Sequence, residues 1–235
     1  AHRERGKILV HDGDGRLVAV RPGQLAWSAT TEQGSGTAVR VDADGTVTAM
    51  RSGVAQVTAR FGTAVGTASV TVDRAPVVLS DFETSGVWFA NAVRAQSSFT
   101  LVGQPDPVHA GSRSGKLVYD LTVSQGGTAA AYVQATTPIP IPDRPRAIGV
   151  WVYGDASGHW LRANYIDGHG QRQVLDLTAV GGLDWTGWRF VQAEIPADAV
   201  LPLTFERVYV VEMHPERQTR GVLYFDDLVA LYGQP

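Results

Sequence analysis

The side chains best suited to do chemistry are carboxylates at the two ends of the last two-thirds of the chain. Asp81 and Glu83 flank Phe82 at its opening, and Asp226-Asp227 sit in its final apolar stretch, Leu223 to Leu231. Both stretches read as β-strands. If those strands are neighbours, acids far apart in sequence meet at one point. Carboxylate oxygens a few ångströms apart stay ionised together only around a counter-charge. A structural calcium ion is the expected occupant, and it speaks to how the domain is held together.

A second kind of chemistry lies between Trp151 and Tyr209, where aromatic and polar residues interleave. A sugar ring presents an apolar CH face to a flat aromatic side chain, while Arg, Asn, Asp and Glu bond its hydroxyls. In the strand expected over His159 to Asp167, alternation places Trp160, Arg162, Asn164 and Ile166 on one face and Leu161, Ala163, Tyr165 and Asp167 on the other. Arg162 and Asn164 are hard to bury unpaired, so the first face is expected to be solvated or to form a polar site. Trp151 and Tyr153 alternate with Val150 and Val152, and either pair could face the core. Tyr209 and Val211 oppose Val210 and Glu212, and Glu212 and His214 are expected beside Arg162. Such a cluster would take hydroxyls or a charged substituent, a uronate or phosphate suiting Arg162. Trp185 and Trp188 read as packing residues, and Trp88 as a loop residue over the sandwich edge.

No catalytic pattern accompanies these groups. Asp167, Asp176, Glu194 and Glu212 supply acids, but no spacing singles out a glycosidase pair. The sequence contains no HExxH, no Gly-x-Ser-x-Gly elbow and no Gly-rich phosphate loop. The chain is expected not to be an enzyme.

Composition narrows the field further. A net charge of -3 over 235 residues, with no Lys/Arg run, supplies no field for nucleic acid. Cysteine is absent, which rules out disulfides and thiolate metal sites. No apolar run approaches the roughly 20 residues of a membrane span, and the start has no signal-peptide core, so the chain reads as part of something longer. The elements that must position the candidate side chains are short runs rich in Val, Thr, Tyr, Phe and Trp between Gly, Pro, Asn and Asp clusters, the mark of an all-β protein. In the first third they fall near Lys7–His11, Arg16–Val20, Leu25–Ala29, Gly45–Ala49, Ala55–Arg60 and Thr67–Val72. The turns Asp12-Gly13-Asp14-Gly15 and Asp42-Ala43-Asp44-Gly45 carry the chemistry of tight hairpins rather than of a calcium loop. Pro76 breaks the alternation, giving a domain at 1–73, a linker at 74–77 and a larger domain at 78–235.

Trp27-Ser28-Ala29, the run Val41-Asp42-Ala43-Asp44-Gly45-Thr46-Val47-Thr48-Ala49, Gly53 and Val57-Thr58-Ala59 resemble the group 2 bacterial immunoglobulin-like domain, a spacer of surface proteins. Asp81-Phe82-Glu83, the turn Gly111-Ser112-Arg113-Ser114-Gly115-Lys116-Leu117 and Gly221-Val222-Leu223-Tyr224-Phe225-Asp226-Asp227-Leu228 resemble the galactose-binding-like jelly roll of carbohydrate-binding modules. That resemblance implies calcium bound by the side chains of Glu83 and Asp226, with backbone oxygens near Gly111 and Lys116. Asp81 and Asp227 come second, since neighbours on a strand face opposite ways unless a bulge intervenes. Val150 to Asp155, Trp160 to Ala163, Asp184 to Arg189 and Tyr224 to Asp227, behind an immunoglobulin-like spacer, resemble the C-terminal region of bacterial phosphodiester glycosidase family proteins. This implies an exported, extracellular or cell-surface bacterial protein whose catalytic domain lies upstream. The expected function is therefore non-catalytic binding of polysaccharide or cell-wall glycan. A purely structural spacer is the alternative, and an unrecognised hydrolase or lyase the third reading.

Overall fold

A computed structural model describes residues 3–5, 10–11, 14, 16–18, 23–31, 38–50, 53–72, 75–124 and 126–233. The chain is all-β and divides into two compact units, Ala1–Ala75 with Tyr232–Pro235, and Pro76–Leu231. Of the expected linker, Arg74 lies outside the described residues and Val77 opens a strand.

The first unit contains β1 (Arg3–Arg5), β2 (Val10–His11), β3 (Leu17–Val18), β4 (Ala26–Thr31), β5 (Val39–Val41), β6 (Thr46–Ala49), β7 (Gly53–Phe61) and β8 (Ala64–Val72). Sheets ordered β1-β6-β5 and β4-β7-β8 pack on each other, with β2 and β3 forming a separate pair. Ala38, Val39, Ala55 and Val57 are buried between them, and Trp27, Val41, Val47 and Val70 close around that core. At the Asp42–Gly45 turn, Gly45 takes φ +82, and a Cβ there would stand 2.5 Å from the Trp27 ring. Glycine is needed both for the turn and for the tryptophan beneath it. Most of the Asp12–Gly15 turn, Asp12, Gly13 and Gly15, lies outside the described residues.

The second unit is a jelly-roll sandwich of β9 (Val77–Ser80), β10 (Trp88–Val93), β11 (Gln96–Val102), β12 (Ser114–Asp120), β13 (Ala129–Ile141), β14 (Ala147–Asp155), β15 (Trp160–Ile166), β16 (Arg172–Asp176), β17 (Thr186–Glu194), β18 (Leu203–Glu212) and β19 (Arg220–Leu231). One sheet is five-stranded, β10-β13-β18-β15-β16. The other is six-stranded, β11-β12-β19-β14-β17 with β9 on β19. Leu161, Ala163 and Tyr165 of the first, and Leu117, Val150, Val152, Leu223 and Phe225 of the second, form the buried filling. Their strict alternation is what buries one face of each strand.

Trp88 departs from its expected loop position. It opens β10 and is buried, stacked on Phe82 at 5.2 Å and edge-on to Phe205 at 6.1 Å. Phe82 also meets Phe99 of the opposite sheet at 6.5 Å, so it plugs one end of the sandwich. Its left-handed backbone, φ 54, lets the ring turn inward while Asp81 and Glu83 stay outside.

Candidate functional site

The two acidic ends do come together, since β9 pairs with β19 through Leu228↔Ser80. What they share is one loop. Asp226 Oδ2 accepts hydrogen bonds from the backbone N–H of His109 at 3.0 Å and Ala110 at 3.1 Å. Glu83 Oε1 accepts from Ser112 N at 2.7 Å and Arg113 N at 3.0 Å, and its Oε2 from the Ser112 hydroxyl at 2.6 Å. Those donors, the Ser112 hydroxyl above all, hold the Glu83 carboxyl below the usual range. Gly111, at φ +67, lies so close to Glu83 that a Cβ would collide with the carboxylate.

The remaining expected metal residues have other work. Asp81 accepts from Glu83 N at 3.1 Å, a local turn. Asp227 faces His109 Nδ1 at 3.1 Å. The Lys116 side chain donates to Asp106 at 3.0 Å, while its backbone lies between β11 and β19 in the sheet. Among the described residues no group of three or more His, Cys, Asp or Glu side chains is placed to hold a metal ion. Asp226 is nonetheless only 1% exposed, and no cationic side chain among the described residues pairs with it. Burial, followed by the neighbouring Asp227 charge, raises its pKa. Asp226 and Glu83, at the two ends of the same loop, are the carboxylates that would hold a cation there, and both now accept hydrogen bonds from that loop.

The aromatic candidates separate onto two faces. Trp160, Arg162, Asn164 and Tyr209 lie together on the side of the five-stranded sheet that faces away from the core. Cross-strand register sets Asn91, Tyr132, Tyr209, Arg162 and Asp176 in one row. Phe89, Gln134, Arg207, Asn164 and Val174 form the next row. Ala130, Val211 and Trp160 make the third. At the usual strand spacing the five strands offer a platform roughly 19 Å across. Tyr132 and Trp160 pack on Ala130, Tyr209 and Val211 as a separate apolar cluster, outside the sandwich filling. The Tyr132 and Tyr209 rings are 4.9 Å apart. Phe89 at the rim is 43% exposed. Trp160 is half-buried, anchored by its Nε1 on the Thr178 carbonyl at 2.9 Å.

Four expected site residues are elsewhere. Trp151 and Tyr153 do face away from the core, with Val150 and Val152 inside, but on the six-stranded sheet. There His109 stacks on Trp151 at 4.0 Å. Tyr153 stands edge-on to Trp188 at 5.6 Å and to Tyr224 at 5.7 Å. Trp188 thus belongs to a surface aromatic group, whereas Trp185 is buried. Glu212 does not lie beside Arg162: it is 5% exposed and points to the sandwich interior, where His159 Nδ1 stands 3.4 Å away. Burial pushes its carboxyl up, but His214 N–H, His159 and Arg217 outweigh this and keep it low. His214 follows on the exposed turn beyond β18. Asn164, expected at a solvated face, is 2% exposed and partnered, donating to the Gln173 carbonyl at 3.1 Å and accepting from Arg207 Nε at 2.7 Å.

Tyr132, Phe89, Asn91 and Arg207 join the face without having been singled out in the sequence. Arg207 and Tyr209 differ by two positions, so alternation alone would have paired them.

No family model and no curated protein matches the chain. Solved structures do resemble it. One is described as a structural basis for promiscuous specificity of carbohydrate-binding modules of the β-sandwich superfamily, at 13% identity and TM-score 0.47, covering 88% of this chain and 85% of that one. A family 11 carbohydrate-binding module of a cellulosomal cellulase from Clostridium thermocellum gives 11% identity and TM-score 0.41, covering 68% and 95%. A xylan-binding family 22 module from Paenibacillus barcinonensis gives 14% and 0.41, covering 70% and 100%. Among the described residues no helix is long and apolar enough to cross a membrane.

Proposed function

We propose that the second unit binds glycan on the outer face of its five-stranded sheet and has no catalytic role of its own. The supporting observation is the aromatic cluster of Tyr132, Tyr209 and Trp160 on the side of the sheet remote from the core. Tyr209 is buried beneath its neighbours, while Tyr132 and Trp160 stay part-exposed beside Arg162, Arg207, Asn91 and Asp176, and a sugar chain needs apolar faces and planar hydrogen-bonding groups side by side. A glycan array probed with the chain and with Tyr132→Ala tests it. Binding by the parent and about a tenfold loss or more in the variant is expected. A blank array for the parent would leave the structural-spacer reading in its place.

The wider setting, an exported bacterial enzyme of the phosphodiester glycosidase family with its catalytic domain upstream, is supported by the sequence resemblance. In that setting the module raises the effective concentration of enzyme on its polysaccharide. A calcium ion held by Glu83 and Asp226 belongs to the same proposal and would neutralise the buried Asp226 carboxylate. The expected result is a Tm that rises with added Ca²⁺ and falls in EDTA. Identical melting in both, after prolonged dialysis, removes the ion.

A further inference from the structure

The rings of the five-stranded face are covered by guanidinium groups. Arg162 Cζ lies 3.9 Å from the centre of the Trp160 ring, and Arg207 Cζ 4.5 Å from that of Tyr132 and 6.0 Å from that of Tyr209. Much of the aromatic surface a neutral sugar would stack on is therefore occupied, and cations are presented in its place. Both arginines spend Nε within the sheet, on Asp176 Oδ1 at 2.7 Å and on Asn164 Oδ1 at 2.7 Å. Among the described residues no hydrogen bond takes their terminal amino groups, and the side chains keep 24% and 16% of their surface exposed.

Charge on this face does not balance. Glu206, the acid next to Arg207, has both oxygens taken by Arg172, at 2.6 Å each. Arg207 Nε is 3.7 Å from it, an ion pair without a hydrogen bond. Asp176 answers Arg162 from an exposed position. Arg162, Arg172 and Arg207 thus face Asp176 and Glu206, three positive charges against two negative. Asn164 shows that the placement of Arg207 is built in. A buried amide, pinned from the other side by the Gln173 carbonyl, is committed to orienting one guanidinium.

We propose that this face selects an anionic glycan, a polymer bearing carboxylate groups such as a uronic acid chain, through the terminal amino groups of Arg162 and Arg207. The assignment rests on the glycan-binding reading above and narrows it. A planar carboxylate matches the guanidinium fork, and a ring-stacked guanidinium loses little further freedom on binding. Phosphate or sulfate esters share the chemistry, so the test carries both.

The whole chain is titrated with polygalacturonate, alginate and hyaluronate, with their neutral methyl esters, and with phosphorylated and unmodified mannan. Binding of at least one anionic polymer about tenfold or more tighter than its neutral counterpart is expected, weakening as salt rises from about 0.05 to about 0.5 M. Preference for the phosphorylated mannan supports the anionic site and identifies phosphate as the group. Arg162→Gln and Arg207→Gln should each remove that preference, bringing the affinity for the anionic polymer down to that for its neutral counterpart. Arg162 is partnered by an exposed acid, so its variant decides if Arg207→Gln melts early. Equal affinity for acid and ester forms overturns the anionic assignment and leaves glycan binding standing. Binding of none of the polymers, together with a blank array, sinks both.

Discussion

The two sheets of the larger unit carry aromatic residues on both of their outward faces, and the faces have opposite fates. On the six-stranded sheet, Lys116, Tyr224, Tyr153 and Trp188 form a cross-strand row. A loop reaches over it: His109 stacks on Trp151, and Asp106 accepts from Lys116 at 3.0 Å and from the Tyr224 hydroxyl at 2.8 Å. Asp226 and Glu83 clamp that loop by its backbone. On the five-stranded sheet no loop ring among the described residues stacks on Tyr132 or Tyr209, and guanidinium groups settle on the rings instead. The contrast teaches that an aromatic sheet face becomes structure or site according to whether the chain supplies its own cover.

The sharpest way to break this comparison is to cut the clamp. Asp226→Ala leaves the His109 and Ala110 amides without their acceptor and should cost about 3 kcal/mol in urea unfolding, with glycan retention unchanged for the folded fraction. A variant that loses binding at full stability would show that the covered face is the site. A smaller effect concerns pH and the open face. The Arg172 hydrogen bonds hold the Glu206 carboxyl below its usual value. A depressed acid contributes stability above its unfolded pKa of about 4.3 and loses it as pH falls through the folded value. Parent and Glu206→Gln should therefore differ in Tm at pH 7 and converge in acid. A difference that persists unchanged at about pH 2 would mean the ion pair is not its source. Smallest is Phe89→Ala at the exposed rim, expected to shift stability by less than about 0.5 kcal/mol while weakening glycan binding severalfold. A large stability loss there would mean the rim is packed.

Much of the open face was legible in the strand period. Alternation correctly grouped Trp160, Arg162 and Asn164, and opposed Tyr209 to Val210. What the period cannot carry is which strands become neighbours. For Trp151 and Tyr153 alternation left open which pair faces the core, and β14 pairs with β17 and β19, so they face away on the other sheet. Tyr132 sits in an alanine-rich run whose small residues suit either face, and only its pairing with Tyr209 reveals it. Glu212 was misplaced because an acid reads as outward. Here a buried imidazole needs it, His159 lying between Glu212 and the Thr219 hydroxyl at 2.9 Å. At the acidic ends, the adjacency of the strands was legible. Backbone amides as the partners of the carboxylates were not, because amides leave no mark in a sequence.

Strand β19 has one further consequence. Leu223 and Phe225 point into the core before Asp227, and Leu228 and Ala230 do so after it. The odd positions hand over to the even ones across a single residue held at φ 43, where the pairing with β14 slips. Asp227 is thus a phase shifter. Removing it would trim only one side chain, yet downstream of the cut it would set the chain's grammar against itself, sending Leu228 and Ala230 to water and Val229 and Leu231 toward the interior. For this molecule, the spacing between residues in its closing strand matters as much as their identity.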